Sequence, residues 1–477
     1  MRTILIGAML LTLGCQQAHR YPSARKPVVA TPTDRVHPIN GWTMPDRTPD
    51  DLPIRFVESK SAEWGRLPGF WNASPPPMAG MRTIHIGLPP LNAALAMRAT
   101  LAAEEIVIKT PLGLGLPPVD PLNPPSYGKW RLGKQIFFAK VFREGRSTLA
   151  CADCHRPASG FADAHSLPLE GRVNTLSLLN VAYRKEFFWD GRAKSLEEVV
   201  VKELGDELEP AKSAAHAAQS HRWGGAVARL NRDPGFRAQF ELVFGIEQIT
   251  QDAIAKALAV YMRTILSGDS IYDRANLADA KLDRVAAFEA ALSEEALGRF
   301  RKSLPPEFST ESKATYAKKL ARGEAVFSGN GRCAQCHDPR THFHDDGFHN
   351  VLVGDVDGWQ ATPGSETGRF NVLPIGRKDP ALRGAHRTPT LRNLPRTGPY
   401  FHDGGRRSLR EVVDHYNFHL DKDHPLLARP LVAALKASEP RVAGAHPTLF
   451  SDDERDGLLL FLYALDGEPV PPIVASP

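Results

Sequence analysis

The chain has 477 residues, enough for two to four domains with real cores. Its 42% hydrophobic, 24% charged and 8% aromatic residues exclude wholesale disorder and a polytopic membrane protein. A balance of 59 basic against 54 acidic residues, formally +5, gives no argument for nucleic acid, and no such partner is expected.

Met1 and Arg2 precede an apolar run from Thr3 to Leu13 that ends in Gly14 and Cys15. This reads as a signal peptide over residues 1–15 and predicts export to the periplasm. The string Leu-Thr-Leu-Gly-Cys also has the form of a lipobox, which would make Cys15 a lipid anchor, although Thr12 stands where leucine is usual. An ordinary cleaved signal is the competing reading. Nothing later in the sequence reaches the ~20 apolar residues of a spanning helix.

Residues 16–125 hold nearly half of the chain's 40 prolines, including Pro75–Pro77, and predict a proline-rich extension with little helix. Within it, Thr83–Ile86 and Glu105–Lys109 have strand character and Leu91–Glu105 helix character. From Tyr127 the pattern turns helical: Leu132, Ile136, Phe137 and Val141 lead into a first cysteine pair. Trp223–Leu230, Phe236–Phe244 and Ile249–Leu266 follow with apolar residues at three and four spacing, and Asp233-Pro234 supplies a helix start. Leu304-Pro305-Pro306 interrupts the helices. Ser309–Phe327 then leads into a second cysteine pair as the earlier helix leads into the first, and Asp452–Leu465 closes the chain. The expectation is an all-α fold of two cytochrome c-like domains, residues 126–308 and 309–477, repeated in architecture with weak sequence identity.

Apart from Cys15, the cysteines are Cys151 and Cys154, followed by His155, and Cys333 and Cys336, followed by His337. In an exported chain, C-x-x-C-H reads as covalent haem c attachment: two thiols add to the haem vinyls and the histidine ligates iron. A four-cysteine zinc site would bring its pairs closer together, and plain disulfides give no reason for a histidine after both.

The strings CADCHRPASGFAD, NTLSLLNVAY, FFWDGRAKSLEE, CAQCHDP, FHNVLVG, RTPTLRN and GPYFHDG, spread over residues 121–466, resemble the bacterial di-haem cytochrome c peroxidase and MauG family. The resemblance implies that hydrogen peroxide reacts at the first haem and that the second stores or relays electrons. It places Trp189 between the haems as an oxidisable relay, with a packed core indole as the bland alternative. It assigns proton transfer during peroxide cleavage to a glutamate whose register falls on Glu209, with Glu207 as neighbour. Val199 and Glu203 depart from the glutamine and proline usual there. A histidine that caps the first haem in many of these peroxidases has only His165 near its register, so an open first haem and ligation by His165 both stand.

No methionine follows the second cysteine pair, and Tyr416 occupies the register of the family's methionine ligand, as in the MauG branch. A phenolate favours ferric over ferrous iron. His415 is the alternative ligand. The resemblance further implies a calcium ion held through Asn174, Thr397 and Pro399. The cluster His342, His344, Asp345, Asp346 and His349 sits in the register of the family's FHN loop and reads as solvated or haem-flanking rather than as a separate metal site. The leading expectation is a di-haem peroxidase with MauG-like oxidation of a partner protein. The alternatives are peroxide detoxification with a small cytochrome or cupredoxin as electron donor, and an electron-transfer cytochrome without enzymatic activity. Oligomeric state cannot be read from the sequence.

Overall fold

A computed structural model describes residues 36–37, 42–43, 52–59, 61, 83–85, 105–144, 147–163, 173–203, 225–353, 368–418, 420, 427–429, 431–432 and 450–477. Two compact units divide the chain, residues 1–47 and 48–477. The first contains a short antiparallel hairpin, β1 (Val36–His37) with β2 (Trp42–Thr43).

The second unit opens with β3 (Ile54–Val57), β4 (Thr83–His85) and β5 (Glu105–Lys109), which form a parallel sheet in the order β3-β5-β4. Both strands expected in the extension are present, and Ile54–Val57 is a third. The expected helix at 91–105 lies largely outside the described residues. Central β5 is apolar on both faces: Ile106, Val107 and Ile108 are fully buried, and Ile106 and Ile108 join the core of the first haem-attachment half. This small sheet is added to the helical fold that the sequence predicts.

Helix α1 (Tyr127–Phe138) starts on Ser126, whose hydroxyl accepts the Lys129 N–H, and buries Trp130, Gly133, Ile136 and Phe137. After it come the hairpin β6 (Phe142–Glu144) with β7 (Ser147–Leu149), the single-turn α2 (Cys151–Cys154), α3 (Leu196–Glu203), α4 (Pro234–Phe244) and α5 (Gln251–Met262). The chain continues through α6 (Ile271–Asn276), α7 (Arg284–Ala291), α8 (Glu294–Ser303) and α9 (Lys313–Ser328). The pairing of β8 (Phe348–His349) with β9 (His386–Arg387), then α10 (Arg369–Val372), α11 (Leu409–Phe418), α12 (Asp452–Tyr463) and α13 (Pro472–Ala475) complete the described elements.

Among the described residues the buried apolar side chains form two large clusters, Leu52–Leu266 with Val474, and Ile271–Leu465, and a small third of Val57 and Val107. Helices α6 to α8 therefore bury their side chains in the second core. The proline break at Leu304-Pro305-Pro306 is a corner inside that core, where Leu304 and Phe308 are both buried.

Each half is built on one helix crossing. In the first, α1 meets α5 at Gly133, where a Cβ would come within 2.0 Å of the Ala257 carbonyl oxygen. In the second, α9 meets α12 at Gly323, where a Cβ would lie 2.0 Å from the Gly457 carbonyl oxygen. Backbones this close leave no room for a side chain. One turn further on, Phe137 meets Tyr261 at 5.0 Å between ring centroids, and Phe327 meets Phe461 at 5.2 Å.

The duplication also runs residue by residue through the loop ahead of α3 and α11. Asn180, Phe188 and Gly191 have positive φ, and so do Asn393, Phe401 and Gly404 at the equivalent places. The bridge Phe187↔Ala193 has its counterpart in Tyr400↔Arg406. Glu198 accepts the Lys194 N–H at 2.7 Å, and Glu411 accepts the Arg407 N–H at 2.7 Å. The strings TLSLLNVAYRKEFFWDGRAKSLEEVV and TPTLRNLPRTGPYFHDGGRRSLREVV are thus two copies of one structural segment.

Candidate active site

All four cysteines of the two C-x-x-C-H motifs are free thiols, so neither pair is a disulfide. In each motif the chain turns back after the histidine and offers a carbonyl to its ring. His155 donates from Nδ1 to the Phe161 carbonyl at 3.1 Å, and His337 donates from Nδ1 to the Phe343 carbonyl at 3.0 Å. That bond fixes the ring orientation and leaves Nε2 as the metal-binding nitrogen. Burial, with a smaller contribution from the Glu203 carboxylate, pushes the Cys151 thiol up to about 12, and burial pushes Cys333 to about 12. His337 is lowered to about 4, chiefly by burial, and stays neutral.

The two copies of the repeat meet at Trp189 and His402, which occupy equivalent positions. Trp189 is 8% exposed. Its indole N–H donates to the Asn174 carbonyl at 2.7 Å, and its ring lies edge-on to His402 and His386, each at 6.4 Å. The two imidazoles stack at 3.7 Å with 12° between planes. Burial lowers His402 to about 4, so the imidazole beside the indole is neutral. Trp189 thus sits on the junction between the halves.

Asn174 donates from its side-chain amide to the carbonyls of Pro399, at 2.7 Å, and Phe401, at 3.0 Å. Asn174 and Pro399 therefore converge, with Thr397 in the same loop. Arg387 is the counterpart of Asn174 and Arg184 the counterpart of Thr397. Both guanidiniums donate to the Thr388 carbonyl, at 3.0 Å from Arg184 and 3.3 Å from Arg387, and Arg387 donates also to the Phe188 carbonyl at 2.9 Å. Burial lowers Arg387 to about 10 and Arg184 well below its ordinary value, with repulsion from Arg387 adding to the shift of Arg184. Among the described residues neither forms an ion pair. Two buried cations of this kind suit the carboxylates of a haem, as the free thiols and the oriented histidines suit its vinyls and iron.

Tyr416 lies on α11, half-buried, and burial followed by the thiols of Cys336 and Cys333 raises its phenol above the ordinary range. It faces the second attachment site. His415 is fully buried, and its Nε2 is 2.8 Å from the Val351 carbonyl, which turns that ring toward the backbone. Of the histidine-rich cluster, His349 Nε2 is 2.7 Å from Asp345 Oδ2, and both lie with Cys336 inside a 4.8 Å set. Since Cys336 belongs to the attachment motif, these residues flank that site. His344 is 2% exposed with Nδ1 3.1 Å from Asp346, and His342 meets the Tyr183 ring at 4.3 Å with 40° between planes. Glu207, Glu209, His165 and Cys15 lie outside the described residues.

The sequence reading missed the two arginines and His386. A signal for them existed: RTPTLRN and NTLSLLN align in the repeat, which puts Arg387 opposite Asn174.

Fold and site together define an internally duplicated helical protein with a c-type haem attachment sequence in each half. The family described as di-haem cytochrome c peroxidase matches residues 128–281. Over 388 residues the chain is 31% identical to methylamine utilization protein MauG of Methylorubrum extorquens, covering 78% of this chain and 87% of that protein. It is 26% identical over 331 residues to cytochrome c551 peroxidase of Nitrosomonas europaea, covering 68% of this chain and 80% of the other. Among solved structures, a MauG-like protein associated with microbial copper homeostasis superposes with a TM-score of 0.54 at 24% identity, over 77% of this chain and 96% of that one, and shares its fold. The chain belongs to the di-haem cytochrome c peroxidase and MauG family and is an oxidoreductase whose cofactors are haem c. Among the described residues no helix is long and apolar enough to cross a membrane.

Proposed function

We propose that this chain is an exported peroxidase with one covalent haem c in each half, held by Cys151, Cys154 and His155 and by Cys333, Cys336 and His337. Bound haem supplies the iron at which hydrogen peroxide is reduced by two electrons. The chain's own groups do the rest. His155 and His337 hold their rings by carbonyl bonds so that one nitrogen faces each iron. Trp189, fixed through its indole N–H, carries electrons between the halves. Glu209 is the acid that moves protons at the first haem, as the family resemblance indicates, with Glu207 as the neighbouring alternative. Arg184 and Arg387 hold haem carboxylates. Asn174, Thr397 and Pro399 form a candidate calcium site, supported by the convergence of the Asn174 amide on the Pro399 carbonyl.

The observation that carries the choice within the family is Tyr416, which stands beside Cys333 and Cys336 in a chain whose last methionine is Met262. A phenolate ligand holds the second haem ferric and opposes its use as a reduced electron store, which favours MauG-like oxidation of a partner protein over detoxification with a small donor protein. The apolar run at residues 1–15 supports a periplasmic location, with Cys15 as the candidate lipid anchor.

The test is one equivalent of hydrogen peroxide added to the fully ferric protein, with both haems followed by optical and paramagnetic-resonance spectroscopy. Rapid loss of both ferric signals to a long-lived state is expected. No reaction until the second haem is reduced would make this chain a conventional cytochrome c peroxidase gated by a ligand such as His165.

A further inference from the structure

We propose that Glu203 presents its carboxylate to the peroxide face of the first haem and acts there as a proton carrier. The internal duplication gives the position. Helices α3 and α11 begin at equivalent residues, Leu196 and Leu409, each preceded by a serine whose hydroxyl accepts an N–H from the first turn: Ser195 from Glu198 at 3.0 Å, Ser408 from Glu411 at 3.2 Å. Counted from those starts, Glu203 and Tyr416 are both the eighth residue. Each is directed to the cysteines of its own half, since the Glu203 carboxylate acts on the Cys151 thiol as the Tyr416 phenol is acted on by Cys333 and Cys336. Two groups at one position of a repeated scaffold face equivalent places. Tyr416 is placed to meet a haem held by Cys333, Cys336 and His337, so Glu203 is placed to meet one held by Cys151, Cys154 and His155.

The chemistry follows from side-chain length. A glutamate carboxylate ends roughly 2 Å nearer its own Cα than a tyrosine oxygen does. If the Tyr416 oxygen ligates iron, the Glu203 carboxylate at the equivalent position would stop about two metal–oxygen bond lengths, roughly 4 Å, from iron. That leaves room for a peroxide between iron and carboxylate, with the carboxylate in hydrogen-bond reach of it. Among the described residues Glu203 has no hydrogen-bond or ion-pair partner to hold it elsewhere, whereas Glu197 on the same helix is committed to Arg263 at 2.9 Å and Glu198 to the Lys194 N–H.

In the step, Glu203 takes the proton from the inner oxygen of hydrogen peroxide and returns it to the outer oxygen. The O–O bond breaks with its electron pair on the outer oxygen, which leaves as water. With haem bound, the cofactor would take up the inner oxygen and supply the two electrons. Glu203 ends as the carboxylate it began as. The residue is a second acid of the segment, additional to Glu209, and its assignment rests on the peroxidase reading above.

The holoenzyme tests it. Glu203→Gln is expected to slow the reaction of ferric protein with hydrogen peroxide by about 10²-fold at neutral pH, with two haems per chain and an unchanged spin state at the first. Glu203→Asp should recover part of the rate. Glu203→Gln reacting at the parent's rate would overturn the assignment alone. A parent whose first haem is low-spin and becomes high-spin and faster in Glu203→Gln would make Glu203 a ligand and overturn its role as proton carrier. A parent that ignores peroxide would overturn the peroxidase reading and this assignment with it.

Discussion

Asn174 and Arg387 occupy equivalent places in the two copies of the repeat, and each reaches across the junction to the other copy's interface aromatic. The Asn174 N–H donates to the His402 carbonyl and the Arg387 N–H to the Trp189 carbonyl, both at 2.7 Å. The junction is therefore a pseudo-two-fold one with matching backbone and diverged side chains. One copy carries an indole and the other an imidazole at the meeting point. One carries an amide and the other a guanidinium beside it. An indole is far easier to oxidise than a neutral imidazole, so the divergence supports the proposal that Trp189 rather than His402 carries the electrons.

Trp189→Phe keeps a ring at the junction and removes the indole. Oxidation of the second haem by peroxide added at the first should slow by more than about tenfold, a barrier increase of roughly 1.4 kcal/mol or more. The Asn174 carbonyl loses its donor, which should cost about 1–2 kcal/mol of stability. His402→Phe, at the equivalent position, should leave inter-haem oxidation at the parent's rate. Stopped-flow spectroscopy of both variants checks this, and equal behaviour of the two would make Trp189 a packing residue.

The haem motifs, the helical character and the interface tryptophan were legible because each rests on local spacing: C-x-x-C-H, three-and-four periodicity, and FWDGRA. The strands at 83–85 and 105–109 were legible for the same reason. The cores were not, because Pro305-Pro306 breaks a helix without ending a domain. Phe308 beyond it packs into the cluster that already holds Phe288 and Phe300. The repeat shows in sequence only through alignable strings such as NTLSLLN and RTPTLRN, since Arg387 against Asn174 or Glu203 against Tyr416 share no chemistry. The equal positive φ angles and equivalent bridges around them confirm the register.

Gly323→Ala tests the helix crossing. The new methyl would have to displace the Gly457 carbonyl, which α12 cannot yield without separating from α9. A loss of about 1–3 kcal/mol or more is expected, read as a lower denaturant midpoint with unchanged slope. Gly298→Ala, at an open place inside α8, should instead stabilise by about 0.5–1 kcal/mol.

Acid should destabilise the junction through its buried imidazoles. Burial lowers His402 to about 4 and, with Arg392 adding, His342 to about 3. Between those values and about 6.5 the unfolded chain binds protons that the folded chain does not, so stability falls as pH drops through that window. His402→Phe should reduce the proton uptake on unfolding near pH 5 by about one. Denaturation midpoints measured from pH 4 to 7 give the slope, and an unchanged slope would mean that His402 is protonated in the folded protein.

Tyr416→Met exchanges a hard oxygen donor for a soft thioether at the position facing Cys333 and Cys336. Methionine stabilises ferrous iron, and axial ligation moves haem potentials over a wide range, so the second haem should become easier to reduce by on the order of 0.1 V or more. The first haem should keep its potential, because its histidine and thiols lie in the other core. The same substitution should convert the reactivity: a second haem that can be held reduced no longer shares oxidising equivalents, and peroxide consumption should come to depend on an added electron donor. Spectroelectrochemistry of each haem, together with turnover against a small reduced donor, separates the outcomes. A second-haem potential identical in parent and variant would remove Tyr416 from the iron and, with it, the basis for preferring a partner protein over a donor protein as the substrate.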